Sequence, residues 1–325
     1  MARSFAWLAF GAASLVLAPA AVAQSAAFNG PTLGFVFSRT SHLLRPLIGV
    51  PGASHLGPSV LQGVDTASVA PDGNRAFVVR SRRAAFVSGL SSLSPADVSI
   101  ANLIARVSRI VWSRDGSYAL LYSSSTKFLQ RVTLSGTPSA DAPVDLSSWG
   151  LPSTLAIDPT GRQIAFGIPN AGVYLLAAGQ SPVLLSPLIQ PAALAFDSTG
   201  SHLYAADAAQ QQIIDFDSGS GPVLFASLAQ TDGSAADPAG LAVSGDGTSL
   251  VLADRNAHAV LVYDLTSRQL SNTIPLTFAP TRFEALSSSP TFLLNGDNSR
   301  EWLLILDDRT TPAVYFVPAG QEDRQ

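Results

Sequence analysis

An all-β fold built from repeated four-stranded antiparallel sheets is predicted by three observations. A short turn motif recurs along the chain, short apolar segments flank each copy, and helical periodicity is nearly absent. The turns read APDGN, SRDGS, DPTGR, DSTGS and SGDGT, with glycines at Gly73, Gly116, Gly161, Gly200 and Gly247. Their spacings of 43, 45, 39 and 47 residues fall in the ~40–50-residue range of the blades of a β-propeller.

The chain begins with one basic residue, Arg3, an apolar run from Phe5 to Leu17, and the small-residue pattern Ala21-Val22-Ala23. These are the parts of a secretory signal peptide. Residues 1–23 are therefore expected to be removed on export to the periplasm or exterior, leaving residues 24–320 as a single domain and 321–325 as a polar tail. The segment GFVFSRTSHLLRPLIGV, Gly34–Val50, has the spacing of the last two strands of a blade.

Within each repeat the turn joins two strands, as Leu155-Ala156-Ile157 before Gly161 and Ile164-Ala165-Phe166 after it. The aspartate accepts hydrogen bonds from the amides ahead of it, and glycine takes a positive φ without steric cost. Third and fourth segments follow, seen in Ala259–Asp264 and then Ser271 to Leu276. Four strands per unit with no helix between them predict a radial array of sheets. The first strand of a unit should lie at the crowded axis, consistent with Ala192, Ala193 and Ala195 in one unit and Ala239, Gly240 and Ala242 in the next.

The stretches LYAADAAQQQIIDFD at Leu203–Asp217 and LVLADRNAHAVLVYD at Leu250–Asp264, with Pro-Ala-x-Leu-Ala openings at Pro191 and Pro238, resemble the bacterial YVTN and NHL type of β-propeller repeat. The resemblance is good over residues 150–275. It implies the fold, and leaves function open because such propellers serve as enzymes, binding modules and scaffolds.

Five turn-centred units plus Phe283 to Val317 make six, with Pro290 near the sixth turn. Two N-terminal strands are left over. A seventh blade completed by pairing Leu303–Asp307 and Ala313–Val317 with those strands would leave no open sheet edge at the seam, so seven blades with composite closure are expected, with six as the alternative.

Composition narrows the function. Loss of the leader moves the formal charge from −4 to −5, and Lys127 is the only lysine, so there is no basic block to gather phosphates and nucleic acid is a poor partner. No later apolar run reaches membrane length. Cysteine is absent, which removes disulfides, thiolate metal sites and thiol nucleophiles. No G-x-S-x-G, H-E-x-x-H, phosphate-loop or dinucleotide motif is present, and no catalytic residue, metal or cofactor is assigned.

Of the four histidines, His42, His55, His202 and His258, His202 and His258 fall at different levels of their units, so a joint ligand set is not expected. Asp215 and Asp217 before Gly219 lack the rest of a calcium loop. Among the three glutamates of the mature chain only Glu284 lies in an innermost-strand segment, where an ion pair with Arg282 is expected.

The surface best placed to bind is the end formed by the loops entering the innermost strand and those joining second to third strands. Its polar candidates are Asp65, Arg80, Arg82, Arg83, Arg109, Asp207, Asp254, Arg255 and Arg282. Arginines converging there could hold an anionic group through forked hydrogen bonds. Asp207 and Asp254 have a second expectation, that of tying their loops to backbone amides. These features predict a monomeric, exported propeller that binds an unknown protein or glycan partner without catalysis, by itself or as a component of a cell-envelope assembly. The alternative is a lactonase-like hydrolase or lyase at the channel mouth acting on a small carbohydrate-derived substrate.

Overall fold

The computed structural model describes residues 30–92, 94–217, 219, 221–229, 234–286, 291–295, 303–307 and 312–318. The expected leader (1–23), the tail (321–325) and Pro290 lie outside the described residues.

Seven antiparallel sheets follow one another along the chain, over residues 32–62, 66–98, 109–145, 154–186, 191–227, 238–275 and 284–317. They are called sheets one to seven. Six are four-stranded and sheet three has five strands. The regular strand order is simple: in sheet five, Pro191–Phe196 pairs with His202–Asp207, which pairs with Gln212–Asp217, which pairs with Gly221–Ser227. Among the described residues no helix is long and apolar enough to cross a membrane.

Alternation of side chains along each strand joins the sheets into a ring. In His202–Asp207, Leu203 and Ala205 pack toward sheet four while Tyr204 and Ala206 pack toward sheet six. The same division recurs all the way round. Seven buried clusters each draw on two successive sheets, and Val36, Leu47 and Leu56 of sheet one meet Leu286, Leu293 and Val317 of sheet seven to close the circle. The chain is a β-propeller, and every sheet is buried on both faces.

The seam differs from the expectation. Leu303–Asp307 pairs with Thr291–Leu293 on one side and with Ala313–Val317 on the other, within sheet seven, and among the described residues neither pairs with an N-terminal strand. Gly34–Val50 spans the first two strands of a sheet, not its last two: Thr32–Ser38 pairs with Leu43–Val50, and the outer side of that second strand takes two short pieces, Ala53–Leu56 and Leu61–Gln62. The outer strand is interrupted around Pro58, so its pieces are too short to read as a strand, and the unit looked incomplete. Closure is therefore by side-chain packing between whole sheets.

Two glycines show how tight the ring is. A Cβ on Gly240 of an inner strand would stand 2.5 Å from Cβ of Phe283, so the small residue is required where successive sheets converge. Gly161, at φ +68, lies against the Tyr118 ring of the preceding sheet, with a Cβ there only 2.5 and 2.6 Å from Cδ1 and Cδ2.

Candidate functional site

Strand alternation places the second-to-third-strand loops and the loops entering inner strands at one end of the ring, the loop face. The recurrent Asp-Gly turns lie at the opposite end. Four of those five turns share one device in two forms, while at Gly73 Asp72 accepts from the Asn74 and Arg75 amides. Ser113 and Ser244 donate to Asp115 (2.8 Å) and Asp246 (2.7 Å) two residues on, whereas Thr160 and Thr199 donate back to Asp158 and Asp197, both at 2.6 Å. The hydroxyl and carboxylate exchange places and the turn keeps its hydrogen bond.

On the loop face the nine candidate residues separate into groups. Asp207 is fully buried. Its Oδ1 accepts N–H bonds from Gln190 (3.1 Å), Ala209 (2.8 Å) and Gln210 (3.1 Å), and its Oδ2 accepts from Ile189 at 2.7 Å. Asp254 is equally buried, with Oδ1 accepting from Asp237 (3.0 Å), Asn256 (3.0 Å) and Ala257 (3.3 Å). Its Oδ2 is buried without a hydrogen-bond partner, because Ala236, at the position matching Ile189, donates instead to Gln211 Oε1 at 2.6 Å. Both aspartates hold their own loops and are shielded from a ligand.

Three candidates have charged partners. Arg80 Nη1 meets both oxygens of Asp97 at 3.1 Å, Arg255 meets Asp237 at 2.9 Å, and Arg282 lies 3.7 Å from Glu284. Arg109 is half-buried and donates to the Ser153 carbonyl at 2.8 Å; burial lowers its pKa, opposed by the neighbouring Tyr122. Asp65, Arg82 and Arg83 are exposed. Arg106, which sequence reasoning did not select, joins them: its N–H donates to the Arg82 carbonyl at 2.7 Å. Its signal in the sequence was only a position in the loop entering sheet three.

One small cavity lies beside the inner strands of sheets one, two and seven. Phe35, Phe37, Ala67, Val69, Glu284 and Leu286 are among the residues around this cavity of about 10 Å³, space for one water molecule. Burial raises the pKa of Glu284, against the lowering effect of Arg282 and Arg39. The carboxylate is surrounded by protein yet keeps 44% of its side chain open to solvent, so water at the channel moderates that rise. Among the described residues no three His, Asp or Glu side chains converge as a metal site.

The opposite end holds two arrangements that sequence spacing did not reveal. His202 Nδ1 lies 2.9 Å from Oδ1 of the buried Asp215, whose Oδ2 is 3.5 Å from Arg268 of sheet six. The Asp215 hydrogen bond raises the His202 pKa, and burial followed by the Asp215 and Asp197 charges pushes Tyr204 to about 12. The second is Arg114, in the turn of sheet three, whose Nη2 donates to the Ser244 and Gly245 carbonyls at 3.1 and 2.6 Å. Sheets three and six are not neighbours, so this side chain reaches across the axis.

The class defined by fold and site is thus a closed β-propeller with a charged loop face. No protein-family model matches the chain, and no curated protein matches it. Solved structures with the same fold include a functionally unknown protein from Desulfotomaculum acetoxidans, 13% identical, with a TM-score of 0.62 over 89% of this chain and 100% of that one. Another is Kuenenia stuttgartiensis hydrazine synthase, 12% identical, with a TM-score of 0.57 over 89% of this chain and 96% of that one. At such identities the likeness is one of fold.

Proposed function

We propose that this chain is an exported, non-enzymatic β-propeller of the YVTN/NHL repeat type that presents its loop face to a protein or glycan partner. The observation that carries the reading is the group of exposed loop-face arginines, Arg82 and Arg83 with Arg106, which meet no carboxylate among the described residues. They stand on a ring whose sheets are packed on both faces, so the loops are held in fixed relation before any partner arrives, which reduces the ordering cost of binding. Export follows from the pattern of residues 1–23, and the repeat type from the paired stretches ending at Asp217 and Asp264.

A binding screen of the purified chain against glycans and envelope proteins tests the reading. A partner that protects the second-to-third-strand loops from hydrogen exchange is the expected result. Substrate turnover with no bound partner would overturn it. N-terminal sequencing of the protein recovered from the producing cell's envelope fraction tests cleavage after Ala23.

A further inference from the structure

Residues 75–109 contain six arginines and one carboxylate, Asp97, in a chain of formal charge −4. Three of the six are engaged: Arg75 with Asp72 at 2.5 Å, Arg80 with Asp97, and Arg109 with the Ser153 carbonyl. Arg82, Arg83 and Arg106 are exposed and have no carboxylate partner among the described residues. Their loops are joined to one another. Arg106 N–H donates to the Arg82 carbonyl at 2.7 Å, and Arg83 forms an antiparallel bridge with Ala105.

Three like charges held on two joined loops repel one another, and that repulsion is relieved when an anion lies among them. The guanidinium fork matches a carboxylate in both planarity and spacing. The surroundings narrow the kind of molecule that brings the carboxylate. Among the described residues none of the large exposed apolar side chains lies between residues 75 and 109; Leu151 and Ile189 are exposed in the loops entering sheets four and five, so the two loops that carry the arginines supply no apolar anchor of their own of the kind that dominates protein–protein binding. The acidic remainder of the chain opposes the dense charge of nucleic acid. Carboxylates spaced along a polar, uncharged backbone suit both conditions.

We propose that Arg82, Arg83 and Arg106 form a binding site for the carboxylates of an acidic polysaccharide. The proposal rests on the loop-face reading and names its ligand class.

The experiment titrates the purified chain, and the variant carrying Arg82→Gln, Arg83→Gln and Arg106→Gln, with polygalacturonate, neutral dextran, poly-glutamate and single-stranded DNA. The expected result is salt-sensitive binding of polygalacturonate, no binding of dextran, and affinity at least about tenfold weaker in the variant, as loss of several charge-assisted contacts requires. The three side chains are exposed, so the variant should unfold at the same temperature as the parent. Equal affinity in the two proteins, preference for poly-glutamate or DNA, or no binding of polygalacturonate would overturn the proposal. A protein or neutral glycan that the screen finds on the loop face, bound equally by the variant, would overturn this site assignment and leave the loop-face reading intact. Absence of any loop-face partner would remove both.

Discussion

Asp207 and Asp254 occupy matching positions in successive sheets and differ by one hydrogen bond, which makes their asparagine variants a controlled comparison. In both, Oδ1 accepts three backbone N–H bonds. Only Asp207 uses Oδ2, for the Ile189 amide at 2.7 Å; Oδ2 of Asp254 is buried without a partner. Asparagine can keep its oxygen in the Oδ1 position in each case, so the weakening of three charge-assisted bonds to neutral ones is common to both variants. In Asp207→Asn the new amide nitrogen also faces the Ile189 N–H, donor against donor, and a hydrogen bond to a charged group, roughly 1.5–3 kcal/mol, is lost. In Asp254→Asn the amide replaces an oxygen that had no donor to lose. The expected difference is about 2 kcal/mol, with Asp207→Asn the less stable, or roughly a 30-fold difference in the unfolding equilibrium. Urea unfolding followed by tryptophan fluorescence measures it, with m-values compared to confirm that the denatured states match. Equal midpoints at equal m, or the reverse order, would refute the assignment of Ile189 as the distinguishing donor.

Gly73 and Gly161 share φ +68, but a Cβ at Gly73 would meet nothing within 4 Å while one at Gly161 enters the Tyr118 ring. Gly73→Ala should therefore cost about 1 kcal/mol for the left-handed backbone alone, and Gly161→Ala a further ~1–3 kcal/mol for overpacking, read from urea midpoints. The His202 pKa is raised above its ordinary 6.5, first by the hydrogen bond to Asp215. Its contribution to stability should be complete below pH 6.5 and lost as pH rises through the higher folded value; the effect is screened because the ring is about a third exposed. NMR titration should place the imidazole above 6.5, and Asp215→Asn should move it downward, since burial then remains as an opposing influence. Arg114→Ala removes two bonds across the axis and should destabilise the ring by ~1–2 kcal/mol, measured by urea unfolding; no loss would show that the crossing contributes nothing in solution.

Much of the ring was legible before any coordinates. The Asp-Gly turns announced the inner strand pair of sheets two to six because the chemistry of a tight turn is local: a carboxylate or hydroxyl reaches amides two residues away, and glycine supplies the positive φ. The loop-tying expectation for Asp207 and Asp254 was legible for the same reason. The seam was not, because an outer strand broken into Ala53–Leu56 and Leu61–Gln62 has too few residues to display an alternation, and the reading then sought its missing strands at the other terminus.

The sequence by itself determined the repeat, the turn geometry, the small residues at the axis and which loops share an end, since each depends on residues close in the chain. Tertiary structure alone decided how the ring closes, which arginines are left without acidic partners among the described residues, and that Arg114 and Arg268 meet groups on other sheets. Those outcomes depend on distances between residues as far apart as Arg114 and Gly245. A periodic pattern carries no information about such pairs, because packing around a closed ring, and not position along the strand, brings them together.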